Sequence, residues 1–313
     1  MATRYLVTGG AGFIGSHIVT ALVQRGDRVA VLDNFSTGRR ENLAHLEGQV
    51  EVYEGSVLDR DQLDAALAGV EVVYHQAALA SVPWSVKSPL DTNDVNVTGT
   101  VNVLDRARRG GVRRVVYAGS SSAYGDQPYV SKRETDPAAP LSPYAASKLA
   151  GESYCLAFCN TYEIEAVVIR YFNVFGPRQD PTSEYSAVIP IFVSKMLKGE
   201  QPTIFGDGLQ SRDFTYVDNV VAGNLAAADA QGASGRVLNV ACGQQFSLLE
   251  LIAAINNVLG TKIEPVFAES RIGDVRESLA DITCAREILG YEPAIDFEAG
   301  LRQSIDYYAS LSR

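Results

Sequence analysis

The chain is poor in cysteine, histidine and tryptophan, with four, three and one of each in 313 residues. Cys155, Cys159, Cys242 and Cys284 show no paired framework and no C-x-x-C spacing, which excludes a disulfide scaffold and a zinc ribbon. Cys155 and Cys159 lie four apart on an expected helix, but the histidines are far away in sequence. They read as core packing, and no metal is expected. Basic charge is also short: 27 Lys and Arg stand against 37 Asp and Glu, a net charge of −10. A nucleic-acid surface needs a basic excess, so none is expected, whereas a small anionic ligand needs only two or three placed cations. No apolar run of membrane-spanning length and no leader pattern is visible, so no membrane partner is expected and a cytoplasmic location is. What remains is ordinary for a globular enzyme, 46% apolar and 20% charged, and long enough for a substantial core.

The first half alternates short β-rich runs with helical patterns, as in a parallel sheet covered by helices. Strands are expected at Tyr5–Thr8, Arg28–Asp33, Val50–Glu54, Val70–His75, Arg114–Ala118 and Ala166–Arg170. Helices are expected at Gly12–Gln24, Asp61–Leu67, Thr98–Arg108 and Pro143–Thr161, the last with Ser142 as N-cap and proline in the first helical position. After Tyr171 the texture changes to shorter elements between Pro- and Gly-containing loops, and a capping box, Ser247 to Glu250, opens another helix. The expected division is a dinucleotide-binding domain over residues 1–170 and a smaller substrate lobe over 171–313. Residues 217–245 are expected to return to the first domain.

The opening strand runs into Gly9-Gly10-Ala11-Gly12-Phe13-Ile14-Gly15 and then a helical pattern. Glycines there permit the tight turn and let backbone N–H groups reach a pyrophosphate at the helix N-terminus. Asp33 ends the next strand, 18 positions beyond Gly15, near the interval expected for a carboxylate on the adenosine ribose. Such a carboxylate binds both ribose hydroxyls and repels a 2′-phosphate, favouring NAD over NADP. Arg39 and Arg40 follow closely and could serve a phosphate, so NADP stays an alternative at this point.

Tyr144-Ala-Ala-Ser-Lys148 places a phenol and an ammonium one helical turn apart on one face. A free phenol, with pKa near 10, is a poor base at neutral pH, and a fixed cation favours its phenolate. The pair can then take a proton from an alcohol. The strand before it ends in Gly119-Ser120-Ser121-Ser122, hydroxyls at the C-terminal end of a parallel strand, where such sheets hold ligands.

Taken in order, GGAGFIG, LDNFSTG, HQAA at His75–Ala78, SSSAYG, SPYAASK, RYFNVFGPRQDP, SRDFTYVDN and RIGDVRESLADI resemble the extended short-chain dehydrogenase/reductases over nearly the whole length. More narrowly they resemble the UDP-sugar 4-epimerases. The resemblance implies a Rossmann-type, doubly wound parallel α/β sheet with a smaller C-terminal α/β lobe, bound NAD, a UDP-sugar substrate and a homodimer. It makes Tyr144 the base, Lys148 its partner on the nicotinamide ribose and Ser120 the hydroxyl holding the substrate oxygen. For the cofactor it implies Gly9, Gly12, Phe13, Ile14 and Gly15, then Asp33, Asn34, Ser36 and Gly38. Ser56, Val57, Gln76, Ala77, Ala78, Asn96 and Tyr171 complete that set. The family usually has Gly-Asp where this chain has Gly55-Ser56, so the adenine contact made by that Asp is in question here, Ser56 being able to make only a weaker one.

For the substrate the resemblance implies Ser81, Ser121, Ser122, Asn173, Gln179, Ala187, Val188 and Arg212, with Arg271 and Asp274 as the uridine-diphosphate clamp. In the 4-epimerases, the residue five beyond the glycine of R-x-G-D walls the hexose pocket: tyrosine accompanies a plain 2-hydroxyl, a small residue an N-acetyl group. Here it is Ser278. Gln179, Ser121 and Ala187 also match the N-acetyl type, whereas Ala80 departs from its usual glycine. The expected reaction is 4-epimerisation through a 4-keto intermediate, on UDP-GlcNAc/UDP-GalNAc, UDP-Glc/UDP-Gal or both. Alternatives are a UDP-glucuronic acid 4-epimerase or decarboxylase and, from another class, a non-catalytic nucleotide-binding regulator. Trp84 is expected either to cover the pocket or to pack in the core. Helices Thr98–Arg108 and Pro143–Thr161, with Val101, Leu104, Leu156 and Phe158, are the expected dimer faces.

Overall fold

The computed structural model describes residues 3–128, 131–181, 187–269 and 276–311. Seven strands form its central sheet: β1 (Arg4–Thr8), β2 (Arg28–Asp33), β3 (Val50–Glu54), β4 (Val72–His75), β5 (Arg114–Ser120), β6 (Glu165–Tyr171) and β7 (Arg236–Val240). All pair in parallel, in the order β7-β6-β5-β4-β1-β2-β3. The central strands read as near-continuous apolar runs, such as Val115-Val116-Tyr117, because both faces are covered.

One face packs against α1 (Phe13–Gln24) and α6 (Val217–Asp229); the other packs against α2 (Arg60–Leu67), α3 (Gly99–Arg109) and α4 (Pro143–Thr161). Between these helices along the chain, α5 (Val188–Leu197) precedes α6. The chain leaves β1 for β2 on one side, and β4 flanks it on the other. That reversal opens a crevice at the strands' C-terminal ends.

A separate apolar core joins α5, α7 (Leu248–Leu259) and α8 (Phe297–Leu311) around Phe175, Phe214 and Phe297. Each such fully buried side chain contributes roughly 1.5–3 kcal/mol through its removal from water. The Ser247–Glu250 capping box is formed in full, and Ser142 caps α4 by accepting from Ala145 N. Residues 236–240 form the seventh strand, beside β6.

Element ends differ where polar residues extend the ladder. β5 reaches Ser120 and β6 reaches Tyr171, so these two are register partners at the sheet's rim. A π-helical turn, Asp94–Thr98, precedes α3 and directs Asn96 inward. Leu104 and Phe158 lie in the core between α3, α4 and the sheet, so they are unavailable to a partner subunit. Outward apolar residues on this side include Val86, Leu90 and Tyr154. Cys155 packs in the same core.

Candidate active site

A cavity of about 320 Å³ occupies the crevice, bordered by the glycine turn, the ends of β2 and β5, and the start of α4. A Cβ on Gly9 would stand 2.7 Å from Ala77 N, and one on Gly15 would stand 2.2 Å from Gly9 O. These two glycines let the turn close on its neighbours. Gly12 differs: only Gly9 O, at 3.1 Å, would meet its Cβ, and it caps α1 with no side-chain bond. The first-turn backbone of α1, Gly12 to Gly15, lines the cavity, leaving N–H donors for an anion. That is the cradle a pyrophosphate requires.

Asp33 closes the far end, 6% exposed. It accepts from Ala11 N at 2.9 Å and from Phe35 N at 2.8 Å. Burial pushes its carboxyl up, and these two bonds oppose that. Gly38 lies so near that an added Cβ would stand 2.8 Å from Asp33 Oδ1. Asn34, Ser36, Ser56, Val57, Gln76, Ala77 and Ala78 also line the cavity, with Phe13 and Ile14. Ser56 Oγ accepts from Leu58 N at 3.2 Å, so its turn is self-satisfied.

At the other end stand Tyr144, Lys148 and Tyr171, with Ala118 and Gly119 beside them. Lys148 is 4% exposed, and its Nζ donates to Ala118 O at 2.9 Å. Burial pulls its pKa down to about 8. Burial pushes the Tyr144 phenol up, while a hydrogen bond with the Ser120 side chain lowers it. Ser120 Oγ accepts from Ser122 Oγ at 2.8 Å and from Ser122 N at 3.2 Å. Ser121 begins the short 3-10 turn that follows. One end of the cavity thus holds a phenol and an ammonium, with the Ser120 hydroxyl, itself outside the lining, bonded to the phenol; these are the parts needed to move a proton on or off an alcohol.

Asn96 lies beneath this cavity and does not line it. Its amide accepts from Leu79 N at 2.8 Å and donates to Leu79 O at 3.2 Å and Ser147 Oγ at 2.9 Å, pinning the Leu79–Ala80 wall to α4. Tyr171 donates to Asn224 Oδ1 at 2.9 Å and accepts from Gln76 Nε2 at 2.9 Å. Asn224, on α6, has no local sequence signal for this role.

A second cavity, about 430 Å³, lies between α5, the Thr203–Phe205 strand and the Ser211–Arg212 strand. Of the expected substrate residues it brings together Asn173, Ala187, Val188 and Arg212. Sequence reasoning missed Phe192, Lys195, Phe205, Gln210 and Phe214 in its wall. Asn173 has φ of +33°, in the left-handed region that asparagine tolerates better than most L residues. Its Nδ2 lies 3.5 Å from Ser278 Oγ, and Ser278 pairs with Arg212 in parallel register.

Ser81, Ser120, Ser121, Ser122, Gln179, Ser278 and Trp84 line neither cavity. Ser81 caps the Val82–Lys87 helix, which carries Trp84 with Lys87 Nζ 5.6 Å from its ring. Gln179 donates to Val174 O at 3.1 Å, and its buried Oε1 has no hydrogen-bond partner among the described residues. Arg271 and Asp274 lie outside the described residues.

Glycine turn, ribose carboxylate and Tyr–Lys pair together define a dinucleotide-dependent enzyme of the short-chain type. The sequence matches the family model "NAD dependent epimerase/dehydratase family" over residues 5–241, and the chain belongs to that family. NAD is its cofactor. A UDP-glucose 4-epimerase of Mycolicibacterium smegmatis is 41% identical over 315 residues, covering 99% of this chain and 100% of that one. The crystal structure of Thermotoga maritima UDP-glucose 4-epimerase with UDP-glucose superposes with a TM-score of 0.95 at 38% identity, over 99% of this chain and 100% of that one. The UDP-N-acetylglucosamine 4-epimerase of Methanobrevibacter ruminantium, in complex with UDP-N-acetylmuramic acid, gives 0.95 at 39% identity over 99% of each chain. These relatives' names span plain and N-acetylated sugars.

Proposed function

We propose that this enzyme inverts C4 of the sugar in a UDP-hexose, accepting the N-acetylated pair UDP-GlcNAc and UDP-GalNAc as well as UDP-Glc and UDP-Gal. The observation that carries the reaction is Tyr144 beside Ser120 on one side and one turn from buried Lys148 on the other. Tyr144 takes the proton of the 4-hydroxyl, Lys148 holds positive charge that favours the phenolate, and Ser120 holds the substrate oxygen. Bound NAD supplies the acceptor and later the donor of the C4 hydride, so no net redox change occurs. The 4-keto sugar turns over in the pocket before Tyr144 returns the proton.

The second cavity suits the nucleotide end. Phe192, Phe205 and Phe214 give apolar walls for a base, and Arg212 and Lys195 are cations for a diphosphate. Holding the nucleotide firmly and the hexose loosely lets one pocket accept both faces of the sugar. Residues 1–170 carry the cofactor in this reading and 171–313 the substrate, with 217–245 joined to the first domain. Ser278 supports the N-acetyl preference, because a hydroxymethyl group leaves room where a phenol would not.

The enzyme works as a homodimer through the side bearing Val86, Leu90 and Tyr154, 66%, 77% and 42% exposed. Light scattering should give twice the monomer mass, and Leu90→Glu with Tyr154→Glu should halve it. The catalytic reading is tested by incubating the protein with UDP-Glc, UDP-GlcNAc and UDP-glucuronate and separating the 4-epimers. Turnover of the first two supports it. Turnover of glucuronate alone, or of none, overturns it.

A further inference from the structure

Just outside the cavity lining lies acid besides Asp33: Glu54 is its register partner across β2 and β3. Two arginines follow the ribose loop, and each is paired with a carboxylate from another element. Arg39, whose N–H donates to Ala11 O at 2.9 Å, places its guanidinium 2.5 Å from Asp180. Asp180 arrives from the far side of the chain, after Gly176-Pro177. Arg40 lies over the Phe35 ring, 4.0 Å from its centroid, and reaches Glu54 at the end of β3 at 2.5 Å. Phe35 holds φ of +54°, an uncommon backbone state for a bulky residue, in the turn that sets this stack. Each guanidinium is therefore held by one carboxylate, Asp180 or Glu54, while Asp33 is held by the Ala11 and Phe35 N–H groups.

We propose that Asp180 and Glu54 are cofactor-specificity residues, which hold Arg39 and Arg40 in ion pairs and so exclude the 2′-phosphate of NADP together with Asp33. An unpaired guanidinium at this rim would grip a phosphate through two parallel hydrogen bonds. A paired one must first leave its carboxylate, and that carboxylate then repels the incoming dianion. This rests on the cofactor site alone and not on the sugar. Asp33 is buried and dominates. Both outer pairs are half-exposed and screened, so each adds only roughly two- to fivefold to the discrimination. Their effect is therefore read against a background in which Asp33 has lost its charge.

The enzyme is exchanged against an equimolar mixture of NAD and NADP until the bound ratio stops changing. Free nucleotide is then removed, and the bound nucleotide is released by denaturation and quantified chromatographically. Wild type should retain almost only NAD. Asp33→Ala should admit NADP, and adding Asp180→Ala or Glu54→Ala should raise the NADP:NAD ratio a further two- to fivefold each. Adding Arg39→Ala to the Asp33→Ala, Asp180→Ala protein should erase the gain made through Asp180. Asp33→Asn, the same shape without the charge, is a second background, so the comparison does not depend on one variant's folding. An unchanged ratio on removing Asp180, or a gain that survives Arg39→Ala, overturns the proposal. So does a parallel loss of NAD and NADP, which would make the Arg39–Asp180 pair a strap between chain segments and not a filter.

Discussion

Arg170 on β6 and Glu152 on α4 form a two-pronged ion pair in the interior, at 2.9 and 2.7 Å, with both residues 5% exposed or less. Glu152 stands one helical turn beyond Lys148, and Arg170 pairs with Gly119 in register, one residue before Ser120. The guanidinium also lies 4.5 Å from the Tyr124 ring centroid, and Tyr124 donates to Asn239 on β7 at 2.7 Å. The pair thus ties the helix bearing Tyr144 and Lys148 to the strand beside Ser120. Removing one partner leaves a buried charge uncompensated. Glu152→Ala or Arg170→Met should therefore cost about 3–5 kcal/mol of stability. Glu152→Leu with Arg170→Met should recover most of the loss, since apolar residues of similar volume replace such pairs at little cost. Urea unfolding at fixed NAD concentration measures this; a double variant as unstable as the singles would refute it.

Tyr144→Phe keeps the ring and removes the proton acceptor. Turnover should fall by on the order of 10² or more, the usual worth of acid–base catalysis, while NAD stays bound. The check is steady-state epimerisation beside the absorbance of released nucleotide. Near-normal turnover would remove Tyr144 from its role.

His17, on α1, donates from Nε2 to Pro177 O at 3.0 Å. Burial pulls its pKa down to about 4; the bond to Pro177 opposes this, and the charges of Arg178 and His45 add to it. The folded state therefore binds its proton far less readily than the unfolded chain, whose histidine titrates near 6.5. Stability from keeping His17 neutral is intact above pH 6.5 and is lost as pH falls toward 4, by about 2 kcal/mol at pH 5. Asp213, pushed up to about 7 by burial, acts in the opposite sense, as do other groups in their own ways. A difference measurement cancels them. The stability of wild type relative to His17→Asn should drop by about 2 kcal/mol between pH 7 and pH 5. Parallel pH curves would show that His17 is not the group.

The parallel sheet was legible because β-branched runs alternate with amphipathic segments, and those runs follow from two-sided burial. That Tyr144, Lys148 and Asp33 would border one cavity was legible because each is fixed by a local spacing. Ser120 was harder: Gly119 and Ser120 carry no strand signal, and their pairing with Arg170 and Tyr171 extends β5 to the rim. Asn224 and Gln210 were missed because only tertiary packing brings them to Tyr171 and to the second cavity. Leu104 and Phe158 were misjudged as outward because helical periodicity marks an apolar face without saying what covers it.

In the proposed reading Ser278 sets which sugars fit, and its position makes that proposal testable. It sits in the Glu277–Ala280 strand, paired with Arg212, with its Oγ 3.5 Å from Asn173 Nδ2. Ser278 lines neither cavity, but its neighbours Arg212 and Asn173 border the second, so in the proposed reading a large side chain at 278 crowds the hexose where it leaves the nucleotide cavity. Ser278→Tyr adds a ring to a half-buried site beside an asparagine already held at positive φ, leaving little freedom to retreat. Overfilling of this kind costs about 1–3 kcal/mol. It falls only on the substrate with the bulkier 2-substituent, so roughly ten- to a hundredfold discrimination is expected. Wild type should interconvert both UDP-GlcNAc/UDP-GalNAc and UDP-Glc/UDP-Gal. In Ser278→Tyr, kcat/KM for the N-acetylated pair should fall by that factor while the plain pair stays within about twofold, a shift under 0.5 kcal/mol. Equal losses on both pairs would mean the tyrosine disturbs the fold or the nucleotide end. Indifference of wild type to UDP-GlcNAc would remove Ser278 as the reason for any preference.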